Sequence, residues 1–125
     1  MRLTFLKNER NLSKKSINNI YKSGKHLHSQ SFKLLWVDSI SSAIKIQLLI
    51  SVPKKNIKKA VDRNYVKRLI KEIYKQHKPF IYNLILNPIE IILIYNKTTL
   101  PEFNKLKIEL LTLFEMLYKK QNANN

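Results

Sequence analysis

Two short aliphatic runs, Ile46–Val52 and Ile89–Tyr95, bracket a stretch whose apolar residues recur every three to four positions. The runs suit buried strands and are far too short to span a bilayer as helices. Between them, Ala60–Lys75 places Val66, Leu69, Ile70 and Ile73 in one sector of a helix of about 3.6 residues per turn. Strand and helix periods mixed within one short chain call for a small sheet with helices packed against it.

The other segments extend this pattern. Met1–Asn11 reads as extended or irregular. Ser13 offers an N-cap for a helix over Lys14–Ser23, with Ile17, Ile20 and Tyr21 as its apolar stripe. Gly24, the only glycine, stands where a left-handed residue would end that helix. Lys25–Ser31 alternates weakly, as a short edge strand with His26 and His28 on one face. Phe32–Asp38 is a clearer strand: Phe32, Leu34 and Trp36 face one way, Lys33, Leu35 and Val37 the other. Ser39–Ser42 supplies a turn. Ala43–Val52 is the strongest strand, apolar on both sides toward its end, which predicts a central position. Pro53 ends it, and a helix from Lys59 to His77 is halted by Pro79. Phe80–Leu86 is ambiguous, with room for a further helical turn before Pro88. The last helix, Glu102–Lys119, presents Phe103, Leu106, Leu110, Leu113, Phe114 and Leu117 to a core. The order is helix, two or three strands, helix, strand, helix. No linker or repeat divides it, so residues 1–120 are expected to form one α+β domain and 121–125 a flexible polar tail.

Charge narrows the partner. Lys and Arg number 24 against 8 Asp and Glu, a formal net charge of +16. That excess points to a polyanion, nucleic acid ahead of an anionic membrane. With 44% hydrophobic residues the chain is no disordered basic tail. It has no cysteine, which excludes disulfides, thiolate metal sites and cysteine nucleophiles and fits a cytoplasmic protein. Residues 1–7 show no apolar core of a secretion signal.

The positive charge gathers around the middle helix. Lys54, Lys55, Lys58 and Lys59 precede it. Arg63, Asn64, Lys67, Lys71 and Lys75 fall opposite its apolar sector, with Arg68 at the margin. A rigid helix holds cations at fixed separations and can match the spaced phosphates of a nucleic acid with little further ordering. Arg63 and Arg68 are two of only four arginines, and a guanidinium can pair with two phosphate oxygens. Asn64 can donate to and accept from a base edge or a 2′-hydroxyl. A lysine-rich outer face is also what any solvated helix carries, so the pattern leaves room for a structural RNA-binding protein of ribosomal type, a DNA-binding helix module or a small stand-alone nuclease.

Catalysis by the chain itself is not expected. Its eight acids, Glu9, Asp38, Asp62, Glu72, Glu90, Glu102, Glu109 and Glu115, are scattered singly, without the convergence that Mg²⁺-dependent hydrolysis needs. His26 and His28 lie two apart on a candidate edge strand and His77 ends a helix, which suits bystanders better than a metal-free nuclease dyad.

The segment Val52-Pro53-Lys54-Lys55, followed by Ala60-Val61-Asp62-Arg63-Asn64-Tyr65-Val66-Lys67-Arg68-Leu69-Ile70-Lys71-Glu72, resembles the signature of the bacterial ribonuclease P protein family. The order of elements agrees over nearly the whole chain, including the N-terminal Leu6-Lys7-Asn8-Glu9-Arg10. Two departures stand out: Tyr65 replaces the usual second arginine of Arg-Asn-Arg, and one extra residue separates the lysine pair from Ala60. The resemblance implies an α/β sandwich in αβββαβα order, four strands packed with three helices, with a left-handed strand-helix-strand crossover. It implies a protein that pairs 1:1 with the catalytic ribonuclease P RNA and binds the 5′ leader of precursor tRNA, aiding endonucleolytic removal of that leader in the cytoplasm. The RNA subunit would carry the chemistry with Mg²⁺, with no catalytic residue and no dedicated metal site in this chain. RNA contacts would come from Lys54, Lys55, Lys58, Lys59, Arg63, Asn64, Lys67, Arg68 and Lys71. A leader cleft between the first helix and the sheet would be lined by Ile17, Tyr21, Phe32, Leu35 and Trp36, with Lys97 as a phosphate contact.

Overall fold

The structure is a computed structural model that describes residues 12–39 and 44–123. The expected irregular segment Met1–Asn11 and most of the Ser39–Ser42 turn lie outside the described residues. Eight elements follow in order: α1 (Lys14–Ser23), β1 (Lys25–His28), β2 (Phe32–Asp38), β3 (Ile46–Ser51), α2 (Ala60–Gln76), α3 (Lys78–Leu84), β4 (Ile89–Tyr95) and α4 (Phe103–Ala123). The strands form one mixed sheet in the order β1-β2-β4-β3, antiparallel except for the parallel β3–β4 pair, which α2 and α3 connect. This is the expected α+β layering, with a fourth helix where Phe80–Leu86 was ambiguous.

Alternation within the strands divides the side chains between two layers. Leu27, Phe32, Leu34, Trp36, Ile46, Leu48, Ile89, Ile91, Leu93 and Tyr95 join Val66, Ile70, Ile73, Tyr74, Leu110 and Phe114 in the main core beneath α2 and α4. The opposite face carries a smaller cluster in which Ile20 of α1 covers Leu35 and Ile92. β4, with Ile91, Ile92 and Leu93 all buried, is covered on both faces and sits inside the sheet. β3 was expected there and is instead an edge strand. Its apolar run reflects packing on both faces, which an edge strand can also have, and only Ile46 and Leu48 of it are fully buried.

Local chemistry explains the boundaries. Ser13 Oγ accepts a hydrogen bond from Ser16 N at 3.0 Å, the expected N-cap of α1. Gly24 does end α1, its N–H donating to Ile20 O at 2.8 Å, but its backbone is extended (φ −69°, ψ 150°) rather than left-handed. Glycine is needed there because a Cβ would collide with the Ile20 carbonyl oxygen. Pro79 does not simply stop α2. It stands in the first turn of α3, where a missing N–H costs nothing. Nor is the C-terminus free from residue 121: α4 continues to Ala123, and Gln121 is buried, accepting from Leu86 N and donating to Asp38 Oδ1, both at 3.2 Å. The glutamine, polar in sequence, is a tether in the fold.

Glu109 of α4 makes the matching tie at the other end of the sheet, accepting from Ser29 Oγ at 2.5 Å and Ser31 N at 2.6 Å. Tyr95 lies beside it and donates to Thr99 O at 2.8 Å. Burial, and then the negative charge of Glu109, push the Tyr95 phenol above its ordinary value of 10.0.

Candidate nucleic-acid interface

The basic segment is built on two buried anchors. Val52 and Ile57 are each 5% exposed, and between them Pro53 O accepts from Asn56 N (3.0 Å) and Ile57 N (3.1 Å). The tight turn leaves Lys54 and Lys55 exposed at its tip. Asn56 Nδ2 donates to Tyr95 O at 3.2 Å and pins the loop to the end of β4. Lys58 and Lys59 are exposed on the approach to α2, and with Lys55, Asp62 and Thr98 they border an open cavity of about 480 Å³.

Helix α2 buries Val66, Ile70, Ile73 and Tyr74, with Leu69 partly covered. Asn64 and Arg68 are exposed, and Lys67 and Lys71 half-exposed, so these four share the outward face. Two expectations change. Arg63 lies three residues before Val66 and therefore beside the buried stripe, not opposite it. Its Nη1 donates to Ile57 O (2.9 Å) and Lys58 O (2.7 Å), bracing the loop against the helix. A guanidinium has five N–H donors, so the remaining ones stay available for a phosphate. Arg68, expected at the margin, stands fully on the outward face, with its guanidinium 5.9 Å from the Tyr65 ring. Tyr65 and Arg68 thus present an aromatic face and a cation side by side. Farther along, Lys75 pairs with Glu72 at 3.5 Å on the surface, where such a pair adds little stability.

The expected leader cleft is only partly assembled. Ile17 is half-buried and Tyr21 is 56% exposed, both on α1 over the smaller cluster. Leu35 is on that face but lies under Ile20, 1% exposed, and forms a closed floor. Phe32 and Trp36 do not belong to the cleft. Strand alternation sends them to the opposite face, where they are 0% and 1% exposed in the main core. Phe32 packs edge-on against Tyr95 (5.9 Å, 71°), and Lys25 Nζ lies 5.0 Å from the Trp36 ring centre. Lys97 is half-exposed but borders a separate cavity of about 250 Å³, with Gln30, Ser31, Tyr95, Lys105 and Glu109, on the α4 side of the sheet end. Leu49 and Ile94, not among the expected cleft residues, are half-buried beside the smaller cluster, and their alternation with core residues of β3 and β4 marks them for this face.

Comparison with known proteins gives a consistent picture. The family model described as Ribonuclease P matches residues 5–118. The ribonuclease P protein component of Chlorobium phaeobacteroides is 33% identical over 69 residues, covering 52% of this chain and 47% of that protein. That of Petrotoga mobilis is 31% identical over 77 residues, covering 62% and 63%. The chain therefore spans less than two thirds of the length of either relative. Among solved structures, the Staphylococcus aureus RNase P protein superposes with a TM-score of 0.73 at 25% identity, covering 89% of this chain and 96% of that one. The RNase P protein from Thermotoga maritima gives 0.70 at 26% identity, covering 86% and 96%.

Proposed function

Because the chain belongs to the ribonuclease P protein family, we propose that it binds a catalytic ribonuclease P RNA through the outward face of α2 and the loop before it. It would use the α1 side of the sheet for the 5′ leader of precursor tRNA. The observation that carries this reading is that the residues of the family signature lie together on an accessible surface: Lys54, Lys55, Lys58, Lys59, Asn64 and Arg68 are exposed, and Arg63, Lys67 and Lys71 half-exposed.

Within this division of labour the protein neutralises and positions RNA. Lys54 and Lys55 would meet backbone phosphates as point charges, while Arg63 and Arg68 would grip phosphate oxygens with paired donors. Tyr65, in place of the usual arginine, would contribute stacking. Tyr21, half out of the fold on α1, would stack a leader base. Mg²⁺ is assigned to the RNA subunit and substrate. Among the described residues no three His, Asp or Glu side chains gather in a group that could hold a metal ion. No helix among the described residues is long and apolar enough to cross a membrane.

The test is reconstitution with a bacterial ribonuclease P RNA at low Mg²⁺, scoring leader removal from precursor tRNA. The protein should stimulate cleavage, and leader-bearing precursor should bind more tightly than mature tRNA. Tight binding to ribosomal RNA with no stimulation would favour a structural RNA-binding role instead. Cleavage by the protein without added RNA would favour a nuclease.

A further inference from the structure

The cavity of about 250 Å³ at the sheet end lies on the α4 side, opposite α1. Its wall carries charges that do not pair with one another. Glu109 Oε2 accepts from Ser29 Oγ at 2.5 Å and Ser31 N at 2.6 Å, which fixes the carboxylate, while Oε1 has no partner among the described residues. Tyr95, buried beside it, spends its proton on Thr99 O and has none to give Glu109. Lys97 and Lys105 border the same cavity, yet neither forms an ion pair among the described residues. Glu102 is occupied otherwise: it accepts from Asn104 N and Lys105 N, both at 3.1 Å, and caps α4.

The cavity therefore combines a fixed acceptor with two free cations held apart from it. An occupant that satisfies both must bring N–H donors to the carboxylate and an anion to the lysines. Leu100 and Pro101 add an apolar wall for a flat ring. Leu100, 50% exposed, also borders the neighbouring cavity of about 480 Å³, whose rim carries Lys55, Lys58 and Lys59. A base with its phosphate suits this layout, and further phosphates can continue past Leu100 toward those lysines.

The acceptors also select the base. The Watson–Crick edge of guanine offers two adjacent N–H donors, at N1 and N2. Adenine and cytosine each set an acceptor beside the amino group, and uracil has a single N–H between two carbonyls. Guanine alone meets Glu109 Oε1 and the amide oxygen of Gln30, which borders the same cavity, with donors only.

We propose that this cavity is a guanine-nucleotide site: Glu109 and Gln30 read the base edge, Leu100 and Pro101 flank the ring, and Lys97 and Lys105 hold the phosphate. The site is separate from the α2 face and from the α1 side of the sheet. A free mononucleotide and an unpaired guanosine within an RNA strand share this chemistry.

The experiment titrates the full chain with guanosine 5′-monophosphate (GMP), adenosine 5′-monophosphate (AMP) and inorganic phosphate, and then with two short oligoribonucleotides, a uridine tract with one central guanosine and an all-uridine control. GMP should bind roughly tenfold more tightly than AMP, the scale of hydrogen bonds to a charged group, and phosphate should bind most weakly. Glu109→Gln should abolish the preference for GMP, and Lys105→Gln should weaken both mononucleotides several-fold while keeping it. A preference for the guanosine-bearing strand over its control, lost in Glu109→Gln, assigns the site to RNA; a preference confined to GMP assigns it to the free nucleotide. Equal binding of GMP, AMP and phosphate, or a preference for GMP that survives Glu109→Gln, overturns the site. Should Glu109→Gln loosen the fold, as a shifted melting curve would show, the wild-type comparison and Lys105→Gln decide: equal GMP and AMP affinities in the wild type, or mononucleotide affinities unchanged in Lys105→Gln, overturn it.

Discussion

The two arginines of α2 carry the same charge but stand in different surroundings, and their substitution should separate folding from binding. Arg63 braces the loop through two carbonyl oxygens. Arg63→Ala should therefore cost about 1.5–3 kcal/mol of stability in a denaturant titration, the range for hydrogen bonds to charged groups. It should also weaken RNA binding. Arg68 stands exposed beside Tyr65, so Arg68→Ala should leave the melting curve nearly unchanged and reduce the salt slope of RNA binding by about one. Equal stability losses in both variants would contradict the bracing role. Trp36 makes the reverse case. As the only tryptophan, buried at 1% exposure with an indole N–H that finds no acceptor among the described residues, it reports on the core. Its fluorescence should be blue-shifted and respond little to leader RNA, and Trp36→Phe should leave leader affinity unchanged. Strong quenching on adding precursor tRNA would return Trp36 to the binding surface.

At the scale of elements, α1 depends on its ends. It joins the sheet through one small cluster and one long hydrogen bond, so its caps matter more than those of the deeply packed α4. Ser13→Ala should cost about 1 kcal/mol. Gly24→Ala should cost about 1–3 kcal/mol, since the new methyl group must push aside the Ile20 carbonyl. In hydrogen exchange, both should loosen α1 amides while those of β4 stay protected; uniform deprotection would show that α1 is not a separable unit. The cap at Ser13, the ends of β2 and β4 and the stripe on α4 were legible in the sequence because each is local chemistry or a clean period. The neighbours of β3 were not, because a run that is apolar on both sides says that two faces are covered and not which strands flank it. Gln121 was illegible for a related reason. Its partners, Asp38 and Leu86, lie 83 and 35 residues away, and no local pattern marks a polar residue for burial. The same limit separates the two functional surfaces. The α2 face follows from one helical period, whereas the α1 face needs the pairing of four strands, and that pairing removed Phe32 and Trp36 from the cleft.

For the molecule as a whole, a net charge of +16 on 125 residues sets folding against binding. Like charges repel one another in the free compact state, and salt screens them over a Debye length of about 8–10 Å near physiological ionic strength. Raising salt should therefore raise the melting temperature of the free protein. An RNA partner relieves the same repulsion with phosphates and stabilises the fold by mass action, but its affinity falls steeply with salt as released counterions are restored. Melting temperature with RNA present should accordingly start well above that of the free protein at low salt, and the two curves should converge as salt increases. Thermal scans at several salt concentrations, with and without ribonuclease P RNA, read both slopes in one experiment. The substitutions on the α2 face sharpen the test: Lys67→Gln and Lys71→Gln should raise the free-protein curve slightly by removing repulsion and lower the RNA-bound curve. If they lower both curves together, the outward lysines support the fold, and the division between a buried core and a binding face does not hold.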